Sequence, residues 1–328
     1  MDRKLLIKSF PRIHITLIGM NDNGYRINGG IGFSINSPTM NLNFALSEEI
    51  VINDKREKKF TEKELDRLQV TLKNIKEHNN KFSTGMSCTI ESEILPHFGL
   101  GSNTSIYLSC IEALFLLNNV TYSREEIIAL STRGGTSGIG MNTYFDGGFI
   151  FDVGIKNEND TLEPSSIADR KGKKPLVIYR GKLPDWEVGI CIPRNLREKS
   201  EQEEIDFFNK YCPIEKTYIV DILYESIYGV TSAIIEHDYN IFCKSINNIQ
   251  QTQWKYLERS LYGTDIIELE QKIKQLGADC IGMSSLGPSL FFLGKNIDKI
   301  IANLRKETIE IECYSSKFNN QGRLITYA

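Results

Sequence analysis

The stretch that most narrows the choice of fold is Leu95–Leu117, LPHFGLGSNTSIYLSCIEALFLL. Gly99, Gly101 and Ser102 stand directly before a long apolar run, and the preceding STGMSCTIESEIL alternates as a strand does. Strand, glycine loop and buried helix start together make an anion cradle. Glycines at 99 and 101 allow backbone angles that other residues resist. Ser102, Asn103, Thr104 and Ser105 bring donors to a helix N-terminus, where the dipole favours negative charge. No G-K-[ST] follows, so this is not a Walker loop. Taken alone, the same residues also describe a plain turn with Ser102 as N-cap.

Two further clusters share this chemistry. STRGGTSGIGMNTYFDGGFIF sets Gly134, Gly135, Thr136, Ser137 and Gly138 beside Arg133, and GADCIGMSSLGPSLFFLG sets Ser284, Ser285, Gly287 and Pro288 ahead of a strand. Near the start, RIHITLIGM puts Arg12 and His14 on one face of a strand, a pair suited to gripping a phosphate or carboxylate. Asn28-Gly29-Gly30 reads locally as a hairpin turn, and His97 adjoins the first glycine loop as a candidate ligand contact. Downstream, Arg194 and Arg197 precede Glu201, Glu203 and Glu204, a charge run that by itself reads as a solvated helix face.

Strands are expected at KLLIKSF, RIHITLIGM, GIGFSI, GGFIFDVG, SLFFLG and IEIECY. Thr61 and Glu64 form a capping box ahead of Leu65, Leu68, Leu72 and Ile75, which share a helix face. Ser123 and Glu126 cap another helix, and further helices are expected over 106–117, near 219–236 and 266–276, and over 297–306. The polar run NENDTLEPSSIADRKGKK reads as an exposed hairpin or lobe connection. Strands mixed with helices without a βαβ rhythm predict an α+β fold. At 328 residues the chain is long for one core, so two lobes are expected, 1–155 with the glycine loop and 156–328.

A net charge of −3 argues against a general nucleic-acid or membrane-surface binder. MDRKLLIKSF has no apolar signal core, and no segment is read as approaching the roughly 18 apolar residues needed to span a bilayer, so a cytoplasmic protein is expected. Seven scattered cysteines without a C-x-x-C pair predict buried thiols rather than a zinc knuckle or disulfide scaffold.

Taken together, P-x-x-G-L-G-S at 96–102 resembles the phosphate loop of the GHMP kinase superfamily. More closely, the chain resembles the β-ribofuranosylaminobenzene 5′-phosphate synthases of methanopterin biosynthesis. The resemblance rests on R-I-H-x-x-L-I at 12–18, N-G-G-I-G at 28–32, H-F-G-L-G-S at 97–102 and R-G-G-T-S-G-I-G at 133–140. It continues through G-G-F-I at 147–150, E-x-E-E-I-D-F-F at 201–208 and G-M-S-S-L-G-P-S at 282–289. It implies a two-lobed GHMP-kinase-type fold and a C-ribosyl transfer from phosphoribosyl pyrophosphate (PRPP) to a 4-aminobenzoate-like aromatic acid, with release of carbon dioxide and pyrophosphate. A heteroaromatic acid is the next choice of acceptor. Mg²⁺ is the implied cofactor, with no ligands assigned, and a homodimer is the implied assembly. The resemblance gives Arg12, His14 and Glu204 catalytic roles, and expects Glu203 or Glu204 to organise Mg²⁺ or orient Arg194. Substrate contacts are implied for Asn28, Gly29, Gly30, His97, Gly99, Gly101, Ser102, Asn103, Thr104, Arg133, Gly135, Thr136, Ser137, Gly138, Ser284 and Ser285. GHMP kinases carry S-G-x-D where this chain has Ser137-Gly138-Ile139-Gly140, so the Asp that assists an attacking hydroxyl is replaced by Gly140. An ATP-dependent small-molecule kinase, the alternative, must find another base.

Overall fold

The computed structural model describes residues 3–78, 81–133, 136–164, 167, 173–307 and 310–327. The first half runs β1 (Lys4–Ser9), β2 (Arg12–Gly19), β3 (Arg26–Ser34), β4 (Met40–Ser47), β5 (Val51–Asp54), α1 (Glu62–Glu77) and β6 (Gly85–Ser92). Then come α2 (Ser102–Leu117), α3 (Arg124–Leu130), α4 (Ile139–Asp146), β7 (Phe149–Asp152) and β8 (Ile155–Lys156). The second half runs β9 (Val177–Gly181), β10 (Glu187–Pro193), α5 (Glu201–Tyr211), α6 (Lys216–Tyr224), α7 (Ser232–Glu236), α8 (Tyr239–Ile249) and α9 (Gln253–Ser260). It ends with α10 (Gly263–Gln275), β11 (Ala278–Met283), β12 (Leu290–Gly294), α11 (Ile297–Glu307), β13 (Ile311–Lys317) and β14 (Leu324–Tyr327).

The strands form three sheets: β14-β1-β4-β6-β5; β2-β3-β7-β9, with β8 also pairing β3; and β11-β12-β10-β13. Helix α2 packs on β1, β4 and β6, while α4 packs on β2, β3 and β7, and the two helices touch each other. Two sheets thus enclose α2 and α4 as inner layers. That is why α2 is apolar all round: Ile106, Leu108, Cys110, Ile111, Leu114 and Phe115 are fully buried on every side. The third sheet has its own core of Ile266, Ile273, Leu290, Phe292, Ile297 and Leu304, built against α10 and α11.

Local signals account for several boundaries. Thr61 Oγ1 accepts from the Glu64 N–H at 3.3 Å, and the Glu64 carboxylate accepts from the Thr61 N–H at 2.9 Å, the expected capping box of α1. Leu68, Leu72 and Ile75 face inward from it. Ser123 caps α3 by accepting from the Glu126 N–H. Ser102, however, is the first residue of α2 and not its cap. The cap is Gly101, in a left-handed conformation at φ 78°, with no side-chain cap bond.

The helix expected near 219–236 is longer. A π-helical turn over Glu225–Thr231 joins α6 to α7, and the resulting 21-residue run Lys216–Glu236 is long and apolar enough, by length and composition, to cross a membrane. The expectation of no such segment is corrected here. Asp221 and Glu225 interrupt the apolar run in sequence, which hid its overall hydropathy. One face, with Ile219, Ile222, Val230 and Ile234, is buried in the protein core, while Val220, Tyr224, Tyr228 and Ile235 are exposed. The cysteines are free thiols, and all but the half-buried Cys212 are buried.

Candidate active site

A cavity of about 470 Å³ opens where β2, the loop before α2, the segment before α4, α1, α5 and the loop after β11 converge. Among the residues expected at a site, Arg12, His14, His97, Gly99, Gly101, Ser102, Asn103, Thr104, Arg133, Thr136, Ser137, Glu204 and Ser285 line it. Three glycine-rich segments far apart in sequence therefore meet at one place.

The glycine loop is locked from two directions. The Gly99 carbonyl accepts from Arg12 Nη1 at 2.5 Å and from Ser284 Oγ at 2.7 Å. A Cβ on Gly99 would fall 2.2 Å from the Ser284 carbonyl oxygen, and one on Gly101 would fall 2.8 Å from Arg12 Cγ. These glycines first allow the loop to press against Arg12 and the 284–287 loop. The same turn leaves the first-turn amides of Ser102, Asn103 and Thr104 uncapped by any side chain, at the positive end of a 16-residue helix.

His14 is buried among protein groups. Its backbone N–H donates to Ser284 Oγ at 3.1 Å, its carbonyl accepts from the Ser285 N–H, and Nε2 lies 3.0 Å from Ser137 Oγ. Burial, then the charges of Arg12 and Lys255, hold its pKa well below the ordinary value, so the ring is neutral. Nδ1 is buried without a partner. An orphaned lone pair is tolerated better than an orphaned N–H, which puts the proton on Nε2, donating to Ser137. The Ser137 hydroxyl hydrogen is then free to point into the cavity.

Other expected residues stand behind the wall. Asn28, Gly29, Gly30, Gly138 and Ser284 do not line the cavity. The Gly29 N–H donates to the Thr136 carbonyl at 2.9 Å, and a Cβ on Gly30 would meet the His14 ring at 2.9 Å. The Gly138 N–H donates to Asp152 Oδ2 at 2.9 Å. Asp152 also accepts from the Gly154 N–H, and burial pushes its carboxyl up to about 7. These residues hold the second glycine segment in place. Gly134 and Gly135 lie outside the described residues.

Several lining residues were not expected at a site from sequence: Lys58, Lys59, Lys63, Glu64 (read only as a helix cap), Arg67, Tyr107, Glu198, Lys199 and Phe208. The charge run around Lys58 and the stagger of Lys63, Glu64 and Arg67 on α1 were visible, but they carry no signature that separates them from a solvated face. Arg67 Nη1 donates to Glu201 at 3.2 Å. Lys58 pairs with Glu198. His97 Nε2 lies 2.6 Å from Glu64 Oε1, and this bond raises the His97 pKa. The Arg133 guanidinium lies 5.3 Å from the centre of the Tyr107 ring. Burial pushes the Arg12 guanidinium down to about 10, opposed by Glu204.

The acidic run divides cleanly. Glu203 accepts from Arg197 at 2.7 Å and forms the capping box of α5 with Ser200, outside the cavity. Glu204 enters the cavity instead, and burial pushes it up to about 7. Arg194 pairs with Glu312 and Glu57, so neither Glu203 nor Glu204 orients it. Among the described residues, no group of three or more His, Cys, Asp or Glu is arranged to hold a metal ion.

The cavity lining thus combines the cations and the α2 N-terminus with the apolar surfaces of Leu17, Tyr107, Met141, Phe208 and Leu286. The donors and cations of this lining suit an anionic group, and its apolar side chains suit an apolar one. A protein of Methanothermobacter thermautotrophicus named β-ribofuranosylphenol 5′-phosphate synthase is 31% identical to this chain over 296 residues, covering 88% of each. The chain belongs to the β-ribofuranosylphenol 5′-phosphate synthase family. A protein of the same name from Archaeoglobus fulgidus is 30% identical over 324 residues, covering 97% of this chain and 98% of its own. Residues 66–147 of this family member match the GHMP kinases N terminal domain, which contains α2 and its loop. Homoserine kinase from Cytophaga hutchinsonii shares the fold, at a TM-score of 0.69 and 15% identity over 98% of this chain and 97% of that one. The synthase family is a family of enzymes, and this member has the α+β, two-lobed GHMP kinase fold.

Proposed function

We propose that this enzyme transfers a 5-phosphoribosyl group from PRPP to the carboxylate-bearing ring carbon of a para-substituted benzoate, releasing carbon dioxide and pyrophosphate. The observation that carries this reading is that one cavity is lined both by the uncapped α2 N-terminus with Arg12 and Arg133 and by the apolar surfaces of Tyr107, Phe208 and Leu286. The names of the relatives favour a para-hydroxy acid over the 4-aminobenzoate expected from sequence.

The chemistry needs positioning and charge neutralisation more than a base at the donor phosphate. An electron-rich ring attacks C1′, and loss of carbon dioxide restores aromaticity. Arg12, Arg133, the Ser102–Thr104 amides and the Ser137 hydroxyl take up the charge that develops on departing pyrophosphate, as fixed dipoles held in place before the reaction. In this reading Mg²⁺ would be carried on the substrate's diphosphate, as is common for that ion.

A kinase reading has the fold in its favour. Against it stands Gly140, beside Thr104 in the cavity wall, with no carboxylate in the position those enzymes use. The test is direct. Enzyme with Mg²⁺, PRPP and carboxyl-labelled 4-hydroxybenzoate or 4-aminobenzoate is expected to release labelled carbon dioxide and pyrophosphate in equal amounts. ADP production from ATP and a small alcohol, without pyrophosphate release from PRPP, refutes the proposal.

A further inference from the structure

The cavity's carboxylates are nearly all committed. Glu64 accepts from Thr61 and Asn103 and bonds His97, Glu198 pairs with Lys58, and Glu201 pairs with Lys63 and Arg67. Glu204 has no side-chain hydrogen bond or ion pair among the described residues, although it lies in the same wall. It sits one helical turn before Phe208 on α5, so the two side chains share a face, and both reach the cavity. Phe208 is 2% exposed and is braced from behind by Trp254 at 5.8 Å between ring centres, which makes it a fixed platform. A benzoate ring packed along this face would have the Glu204 carboxylate at its edge.

We propose that Glu204 removes the proton from the para-hydroxyl of the aromatic acid as the ring attacks C1′, and so selects phenolic acids over other electron-rich ones. This rests on the ribosyl-transfer reading above. The step balances. The O–H electron pair becomes the second bond of a ring C=O, and the ring carbon bearing the carboxylate supplies the pair that bonds C1′. The C1′–O bond breaks with its pair leaving on pyrophosphate. Departure of carbon dioxide returns its C–C pair to the ring, and the oxygen regains the proton from Glu204.

The electrostatic setting agrees. Burial raises the Glu204 carboxyl to about 7, with Glu201 adding to the rise and His97, Arg133 and Arg12 opposing it. Tyr262 also faces it electrostatically. A base with a pKa near 7 is well matched to proton transfer at neutral pH. The amino group of 4-aminobenzoate pushes electrons into the ring without first losing a proton, so it has less need of this base.

Glu204→Gln decides the matter through a ratio. The kcat/KM for 4-hydroxybenzoate divided by that for 4-aminobenzoate is expected to fall roughly 10²-fold, in the range of a lost general base. The limb of the 4-hydroxybenzoate pH–rate profile near 7 is expected to vanish in the variant. A ratio that stays within about threefold, or a limb that persists, overturns the proposal and makes Glu204 a general electrostatic or magnesium-ordering group. If the wild-type enzyme releases pyrophosphate with neither acid, the ribosyl-transfer reading fails, and calorimetry decides the contact itself. Tighter binding of 4-hydroxybenzoate than of 4-methoxybenzoate, lost in Glu204→Leu, supports the contact between Glu204 and the phenolic hydroxyl. Equal binding of the two acids overturns it.

Discussion

Replacing Gly101 by alanine isolates the contact between the glycine loop and Arg12. Gly101 sits at φ 78°, where a side chain costs about 1–2 kcal/mol. The new Cβ would lie 2.8 Å from Arg12 Cγ and 3.2 Å from its Nε, so Arg12 must move. That movement strains the bond from its guanidinium to the Gly99 carbonyl, a charge-assisted bond worth about 1.5–3 kcal/mol. The backbone part is expected in urea denaturation as a loss of about 1–2 kcal/mol. The Arg12 part is expected in calorimetry as PRPP affinity weaker by roughly 10- to 100-fold. Gly140→Ala is the matched control in the same wall. Its Cβ would rest 3.5 Å from Thr104 Cγ2, an ordinary contact, and a Gly→Ala change in unstrained helix is neutral or stabilising by up to about 1 kcal/mol. If Gly101→Ala binds PRPP as tightly as Gly140→Ala does, Arg12 is not held by this contact and the reasoning fails.

The Glu64–His97 pair predicts a pH window. Against the upward push of burial, bonds from His97 and Thr61 hold Glu64 at about 2, so its contribution is present above its ordinary 4.5 and is lost as pH falls toward 2. His97 is raised above its ordinary 6.5, so its contribution is present below 6.5 and is lost as pH rises through the raised value. The stability difference between wild type and Glu64→Gln is therefore expected to peak between 4.5 and 6.5, at about 1 kcal/mol given the pair's partial exposure, in urea midpoints measured across pH. Arg323→Ala removes the cation facing Glu112, a fully buried carboxylate that also accepts from Tyr122 and Tyr144 at 2.7 Å. A loss of about 3–5 kcal/mol in thermal or urea denaturation is expected, and a loss under about 1 kcal/mol contradicts the pairing. Arg133→Ala is expected to raise the KM for PRPP about tenfold, through a lost charge-assisted contact, with a smaller change for the acceptor. Equal changes in steady-state kinetics place Arg133 away from the donor.

Much of this architecture can be read from local chemistry. The Thr61–Glu64 box, the all-apolar α2 and the three glycine segments each announce themselves within about a dozen residues, where capping and periodicity operate. What could not be read is which of two adjacent residues turns inward. Glu203 and Glu204 look alike in sequence, yet one caps its own helix and the other enters the cavity, because α5 is fixed by Phe207 and Phe208 packing on Trp254, far away in the chain. Arg67 and Tyr107 were hidden for the same reason, as faces of helices whose neighbours are set by tertiary packing. Asn28, Gly29 and Gly30 carry a distinct pattern that reports close backbone approach, and sequence cannot tell approach to a ligand from approach to the Thr136 and Gly154 backbones.

The last strand, β14, pairs with the first, β1, through Leu5↔Tyr327 to Lys8↔Leu324, and β9 closes the sheet begun by β2. A nascent chain emerging from the ribosome therefore cannot finish the β1 sheet until Leu324–Tyr327 has been made, after every other described strand. Until then one side of β1 stays unpaired, an invitation to mispairing that a chaperone or rapid completion must cover. Cutting the gene between codons 155 and 156 would strip that sheet of its edge and take Ser284 from the glycine loop. Two such halves are expected to recover a working cavity only when expressed together.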